Sequence, residues 1–118
     1  MRPRWRPRQR GEPGMKRNEL WWATLPAPIG RRPVVLVSRD LAYAVRANVT
    51  VVEVTTRIRA IETEVALGVR DGLPRKCVAN ADNLHTIPKA WLERRIGALS
   101  AEKAQALDAS IKLALALP

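Results

Sequence analysis

Apolar positions in the first hundred residues come in short runs and alternations, and helical spacing takes over only after Ser100. Glu19 to Leu25 is aromatic and apolar and reads as a first strand ending at the Pro26-Ala27-Pro28-Ile29-Gly30 loop. Pro33 to Ser38 (PVVLVS) is β-branched and continuous, the pattern of a strand buried on both faces, and Asn48 to Thr55 (NVTVVEVT) is a second such run. Asp40 to Arg46 between them has room for a helical turn or two. Thr63 to Val69 alternates and stops at Asp71-Gly72-Leu73-Pro74, a strong turn signal. Cys77 to Ala81 predicts a shorter strand, Pro88 to Leu92 a short helix with Pro at its first position, and Arg95 to Leu99 a last strand. Ser100 is a good N-cap, Glu102 suits the first helical turn, and Ala104, Leu107, Ile111 and Ala114 or Leu115 form one apolar stripe. About six short strands and a terminal helix predict an α+β fold, a small barrel or curled sheet with the helix packed on it. No internal repeat is visible.

The 118 residues suffice for one domain, and with 47% apolar and 27% charged residues the composition is globular. There is no Phe, so Val, Leu, Ile and Ala must build the core. Residues 1–14 stand apart: five Arg interleave with three Pro, which disfavours helix and sheet. They read as a disordered basic arm, either adding non-specific nucleic-acid affinity or marking an upstream start with Met15 as the natural beginning. The domain proper is then 15–118. The arm has no apolar core resembling a signal peptide, and the tail near Leu107 to Leu117 is broken by Asp108 and Lys112, short of the roughly 18 apolar residues of a membrane span. With one unpaired cysteine, Cys77, the expectation is a cytoplasmic protein with no membrane association.

Charge narrows the partners. Lys and Arg number 21 against 11 acidic residues, and the +10 balance stays at +6 without the arm. Arg31, Arg32, Arg39, Arg57 and Arg59 suit a polyanion, because guanidinium groups make two-pronged contacts to phosphate; the alternative is solvated surface charge. One Cys and one His exclude a multi-thiolate zinc site and a two-imidazole acid/base pair within a chain. No glycine-rich phosphate loop or GxSxG turn occurs, and Asp71 and Asp82 lack His or Cys company for a metal cluster. Cys77 reads as a buried small hydrophobe. Neither a metal nor an organic cofactor is expected. Phosphodiester chemistry on such a chain would fall on RNA, whose 2′-hydroxyl can attack its own phosphorus if the protein stabilises the extra negative charge and moves protons.

In order along the chain, Lys16-Arg17-Asn18-Glu19-Leu20-Trp21-Trp22, Gly30-Arg31-Arg32-Pro33-Val34-Val35-Leu36-Val37-Ser38, Val52-Glu53-Val54-Thr55-Thr56, Leu84-His85-Thr86-Ile87-Pro88-Lys89 and Arg95-Ile96-Gly97-Ala98-Leu99-Ser100 resemble the blocks of the MazF/PemK-type toxins of bacterial type II toxin–antitoxin pairs. The corresponding family patterns are K-R-G-E-I-W-W, G-x-R-P-V-L-V-V-S, a strand ending in Thr-Thr or Thr-Ser, I-R-T-I-D-K and I-G-x-L-S. The resemblance implies an SH3-like curled antiparallel sheet with a C-terminal helix. It also implies a metal-independent endoribonuclease that cuts single-stranded RNA to a cyclic phosphate and a 5′-hydroxyl and is held in check by a cognate antitoxin. Arg32 is then the catalytic arginine and Thr55 the catalytic threonine, with Arg31, Thr56, Arg57 and Asn83 as RNA-binding candidates. On residue chemistry alone, Arg32 reads as a surface charge before a strand and Thr55 as a strand former with no other duty. Apart from the resemblance, a domain this small with apolar strand-edge and helix faces is expected to form a homodimer, with RNA along a groove formed by both chains.

Departures from the family pattern stand beside this. The first loop is the short Pro26–Gly30 segment, Asp82-Asn83 replaces a Glu-Gln or Asp-Gln pair, and His85 stands where Arg is common. Asn83 is either a base reader or a turn residue, and His85 reads as structural or as a subunit contact rather than as an acid/base group. Trp21 and Trp22 should face opposite sides of their strand, one in the core and one free to stack on a base or partner. The other readings are a non-catalytic toxin of the gyrase-poisoning type and a basic RNA-binding module on the same fold.

Overall fold

A computed structural model describes residues 14–118. The expected arm thus lies, up to residue 13, outside the described residues.

Among the described residues, six strands form one antiparallel sheet: β1 (Glu19–Leu25), β2 (Gly30–Leu36), β3 (Asn48–Thr55), β4 (Glu64–Leu67), β5 (Cys77–Pro88) and β6 (Leu92–Ala98). Their order is β4-β5-β3-β2-β1-β6, a curled half-barrel. A one-turn helix α1 (Ala42–Val45) bridges β2 and β3, and the terminal helix α2 (Ala101–Ala114) packs on β4 and β5. No helix among the described residues is long and apolar enough to cross a membrane.

Strand alternation splits the core in two. Leu20, Val35, Val52, Val54, Val65, Leu67 and Ala79 face α2 and bury its Leu107 completely. Ala23, Val34, Leu36, Val49, Val51, Ile87 and Tyr43 form the second cluster on the opposite face. The continuous apolar run of β2 is thereby explained, since Val34 and Leu36 serve one cluster while Val35 and Val37 serve the other. The helix caps as expected, with the Ser100 hydroxyl accepting from the Lys103 N–H at 3.2 Å. Its stripe resolves to Ala104, Leu107, Ile111 and Ala114, leaving Leu115 half exposed. Ser110 donates to the Glu62 carbonyl at 3.0 Å, and Lys103 reaches the Asp71 carboxylate at 2.7 Å.

Several boundaries differ from the sequence expectation, among them β4, which spans Glu64–Leu67 rather than Thr63–Val69 and leaves Val69 to open a 3-10 turn. β2 starts at Gly30 and β6 at Leu92, each three residues early, because these first residues already pair with β1, Gly30 with Leu25 and Leu92 with Ala23. The short strand expected at Cys77–Ala81 instead runs to Pro88. A bulge absorbs Ala81, Asp82 and Asn83, so that Val52 pairs with Leu84 while Glu53 pairs with Asn80. Asn83, a base reader or a turn residue on sequence grounds, thus lies within strand β5 at that bulge. The helix expected at Pro88–Leu92 is a single 3-10 turn at Lys89–Trp91, and Pro88 closes β5 instead.

Asn18 stands where the family pattern has Gly. Its φ of 73° lies in the left-handed region that Asn tolerates best after Gly. Next to it, the buried Glu19 carboxylate accepts from the Lys16 N–H, the Trp21 indole and Arg95, at 3.0, 3.1 and 2.9 Å.

Tyr43 is the chain's single tyrosine. Its hydroxyl donates to the Ser38 carbonyl at 3.2 Å, and burial pushes its pKa up to about 12. Absorbance at 295 nm should therefore show no phenolate step at pH 10 while the protein is folded. The folded state binds this proton more tightly than the unfolded chain. Its contribution to stability is complete below the usual phenol pKa of about 10 and is lost as pH climbs towards 12.

Candidate active site

The sheet opens into a cleft where β2 begins and β3 ends. Arg31, Arg32 and Pro33 line it from β2, Val54, Thr55 and Thr56 from the end of β3, Trp22 from β1, and Leu73, Pro74 and Arg75 from the turn before β5. Its volume of about 210 Å³ is below the roughly 300–1,000 Å³ of enclosed ligand pockets, so it suits one group of a longer substrate.

Arg32 and Thr55 meet at this cleft: the guanidinium Nη1 donates to Thr55 Oγ1 at 3.3 Å. The same hydroxyl accepts the Arg57 backbone N–H at 3.1 Å, an ST-turn that starts the basic β3–β4 loop. Glu64 holds the far end of that loop, its carboxylate accepting from the backbone N–H groups of Arg59 and Ala60 at 2.9–3.2 Å. The loop's arginine side chains are thus carried on a pinned backbone. Arg32 Nε donates to the Ile29 carbonyl at 3.2 Å and lies 3.5 Å from Glu53 Oε1. The other Glu53 oxygen is 3.0 Å from His85 Nε2.

Arg31 is held apart from Arg32. Its guanidinium carbon lies 4.2 Å from the Trp22 ring centroid, a cation–π stack, and its Nε donates to Glu93 at 2.9 Å. Glu93 also accepts from the Thr24 hydroxyl, and these two contacts lower its pKa, the Thr24 bond most. Trp21 packs with the second core cluster, so the two tryptophans do face opposite ways, and Trp22 is the one at the cleft.

Of the sequence candidates, Arg31, Arg32, Thr55 and Thr56 converge on the cleft, and Arg57 adjoins it through Thr55. Asn83 is not among the lining residues and sits in the β5 bulge. Asp82 accepts the Thr63 hydroxyl at 2.6 Å, a contact that braces that bulge. Cys77 lines the cleft but is buried, and burial, with Asp71 nearby, raises its thiol pKa, which keeps it in the inert protonated form. Sequence reasoning misses Glu53 and Arg75. A lone carboxylate inside NVTVVEVT is the available signal for Glu53, because a charge on a buried strand requires a cationic partner.

The fold and its cleft define a small β-sheet protein with paired cationic and hydroxyl donors at one strand end. The sequence matches the PemK-like, MazF-like toxins of type II toxin–antitoxin systems over residues 16–115, and the chain belongs to that family. It is 36% identical over 100 residues to the probable endoribonuclease MazF5 of Mycobacterium tuberculosis, covering 84% of this chain and 91% of that protein. Among solved structures it resembles the M. tuberculosis toxin MazF-mt6, with a TM-score of 0.79 and 35% identity over 85% of this chain and 98% of the other. It is also similar to a mycobacterial endoribonuclease solved in complex with its cognate antitoxin, with a TM-score of 0.78 and 30% identity over 89% and 98% of the two chains. The class is that of endoribonuclease toxins.

Proposed function

We propose that this toxin cleaves single-stranded RNA by attack of a 2′-hydroxyl on the adjacent phosphorus, leaving a 2′,3′-cyclic phosphate and a 5′-hydroxyl. The observation that carries this reading is the Arg32–Thr55 contact at the rim of a cleft also lined by Arg31 and Arg75. In the reaction the 2′-hydroxyl loses its proton as the new O–P bond forms, the bond to the 5′-oxygen breaks, and that oxygen takes up a proton. Negative charge grows on the non-bridging oxygens. Arg32 offers them a charged fork and Thr55 a hydroxyl donor, both already in place. Arg31 on the Trp22 face, Thr56 and Arg57 bind the flanking RNA.

Product chemistry tests the proposal. In EDTA, cleavage of an unstructured RNA should yield 5′ ends that a polynucleotide kinase labels without prior phosphatase treatment. Products with 5′-phosphate ends, or cleavage that appears only with added divalent metal, would overturn it. Thr55→Val keeps the β-branched shape of the strand end but removes the hydroxyl. Its kcat should fall by about tenfold, less than for a charged partner, since a neutral hydrogen bond is about half as strong as a charge-assisted one.

The same reading includes regulation and assembly. A flexible acidic segment of a cognate antitoxin would lie in the basic cleft and compete with RNA. A homodimer would cover the exposed Leu113, Leu115 and Leu117 at the end of α2. Sedimentation velocity at micromolar concentration should give twice the 13.2 kDa chain mass, and a monomer there would refute the dimer.

A further inference from the structure

Glu53 is the carboxylate in the middle of β3, 8% exposed, with Val51, Val52 and Val54 around it at 2% or less. Burying a carboxylate this deeply is unfavourable unless each oxygen finds a partner. Both do, and the partners come from the two strands that flank β3. Oε1 lies 3.5 Å from Arg32 Nε on β2, and Oε2 lies 3.0 Å from His85 Nε2 on β5. The β2–β3 register pairs Val34 with Glu53, so Arg32 sits on the diagonal from Glu53, a separation that long side chains span. His85 is diagonal to it on the other side, through the pairing of Val51 with His85.

The consequence lies in how the guanidinium is aimed. A planar fork turns about its stem unless both ends are held. Here the single Nε–H donates to the Ile29 carbonyl, the Glu53 carboxylate holds the same end as an ion pair at 3.5 Å, and Nη1 is left to meet Thr55 at the cleft. His85 in turn holds the second oxygen of Glu53 and stops the carboxylate from rotating away. We infer that Glu53, braced by His85, is a positioning residue that aims Arg32 at the scissile phosphate. The inference rests on the proposed phosphate-binding role of Arg32.

Simple electrostatics predicts the opposite sign, which makes the inference testable. Glu53 puts a negative charge beside an anion site, so removing it should strengthen RNA binding and, with no positioning role, leave cleavage unchanged or faster. Glu53→Gln preserves the shape and removes the charge. On a defined RNA oligonucleotide its kcat should fall at least tenfold with KM changed less than threefold. Binding of the same oligonucleotide with a 2′-deoxy residue at the cleavage site, followed by fluorescence anisotropy, should stay equal or tighten. His85→Ala, which keeps the Glu53 carboxylate but releases one of its oxygens, should lower kcat by a smaller factor in the same direction, and it serves if the first variant does not fold. Wild-type kcat in either folded variant would overturn the inference. Those results are distinguishable from failure of the parent reading, in which Arg32→Ala itself would still cleave.

Discussion

Arg32→Ala should lose about 10²–10³ in the rate of single-stranded RNA cleavage, measured in EDTA with a quenched fluorescent oligonucleotide. Loss of one preorganised donor to a developing oxyanion has about that effect, equivalent to about 2.7–4 kcal/mol of transition-state stabilisation. The charged fork should place Arg32 towards the upper end, above the Thr55 variant. The substitution also takes one partner from the buried Glu53 carboxylate, so thermal unfolding must be followed in parallel. Breaking a buried pair costs about 3–5 kcal/mol. The cost here should be smaller, because the Arg32 side chain is one-third exposed and His85 stays on the other oxygen. A folded Arg32→Ala protein that cleaves within threefold of wild type would remove Arg32 from the reaction.

Leu107→Ala should have the largest effect on stability and little on the chemistry. Leu107 is 0% exposed and joins α2 to the sheet among Val52, Val54, Val65 and Leu67. Truncating such a leucine removes apolar contact and leaves a cavity, at about 2–5 kcal/mol. Against a total of about 5–15 kcal/mol for a domain, that is a large share, and the melting temperature should fall on the order of 10 °C or more. Gln105→Ala, at an exposed position of the same helix, should change stability by less than about 0.5 kcal/mol. Equal urea midpoints for the two variants would mean that the helix does not dock through Leu107. Leu107 is absent from the cleft lining, so the folded fraction of Leu107→Ala should cleave RNA normally.

The candidate site is partly legible in the amino-acid sequence. Arg32 and Thr55 stand out through the ordered resemblance of several blocks, since neither residue type is informative alone. Their meeting follows from pairing: β2 and β3 are antiparallel with Val34 opposite Glu53, which carries Arg32 alongside Thr55. Trp22 is undecided between core and surface in the sequence, because an aromatic pair on a strand alternates without saying which side is the core. Asn83 illustrates the converse. Its polar neighbours suggest a loop, whereas β5 continues through it by means of a bulge.

What the sequence determined by itself is what depends on near neighbours. The Val-rich runs of β2 and β3, the Ser100 cap and the three-and-four spacing of α2 are local signals, and the structure carries each of them. The net positive charge, the single Cys and the single His likewise bound the chemistry through composition alone. Only the tertiary structure decided the strand order, the extension of β5 to Pro88, and the choice of Ala114 over Leu115 on the helix stripe. It alone brought Glu53 to Arg32 and His85 to Glu53, partners 21 and 32 positions apart along the chain. The physical reason is that register and cross-strand contact are fixed by burial on two faces at once, a condition satisfied only when all six strands are paired.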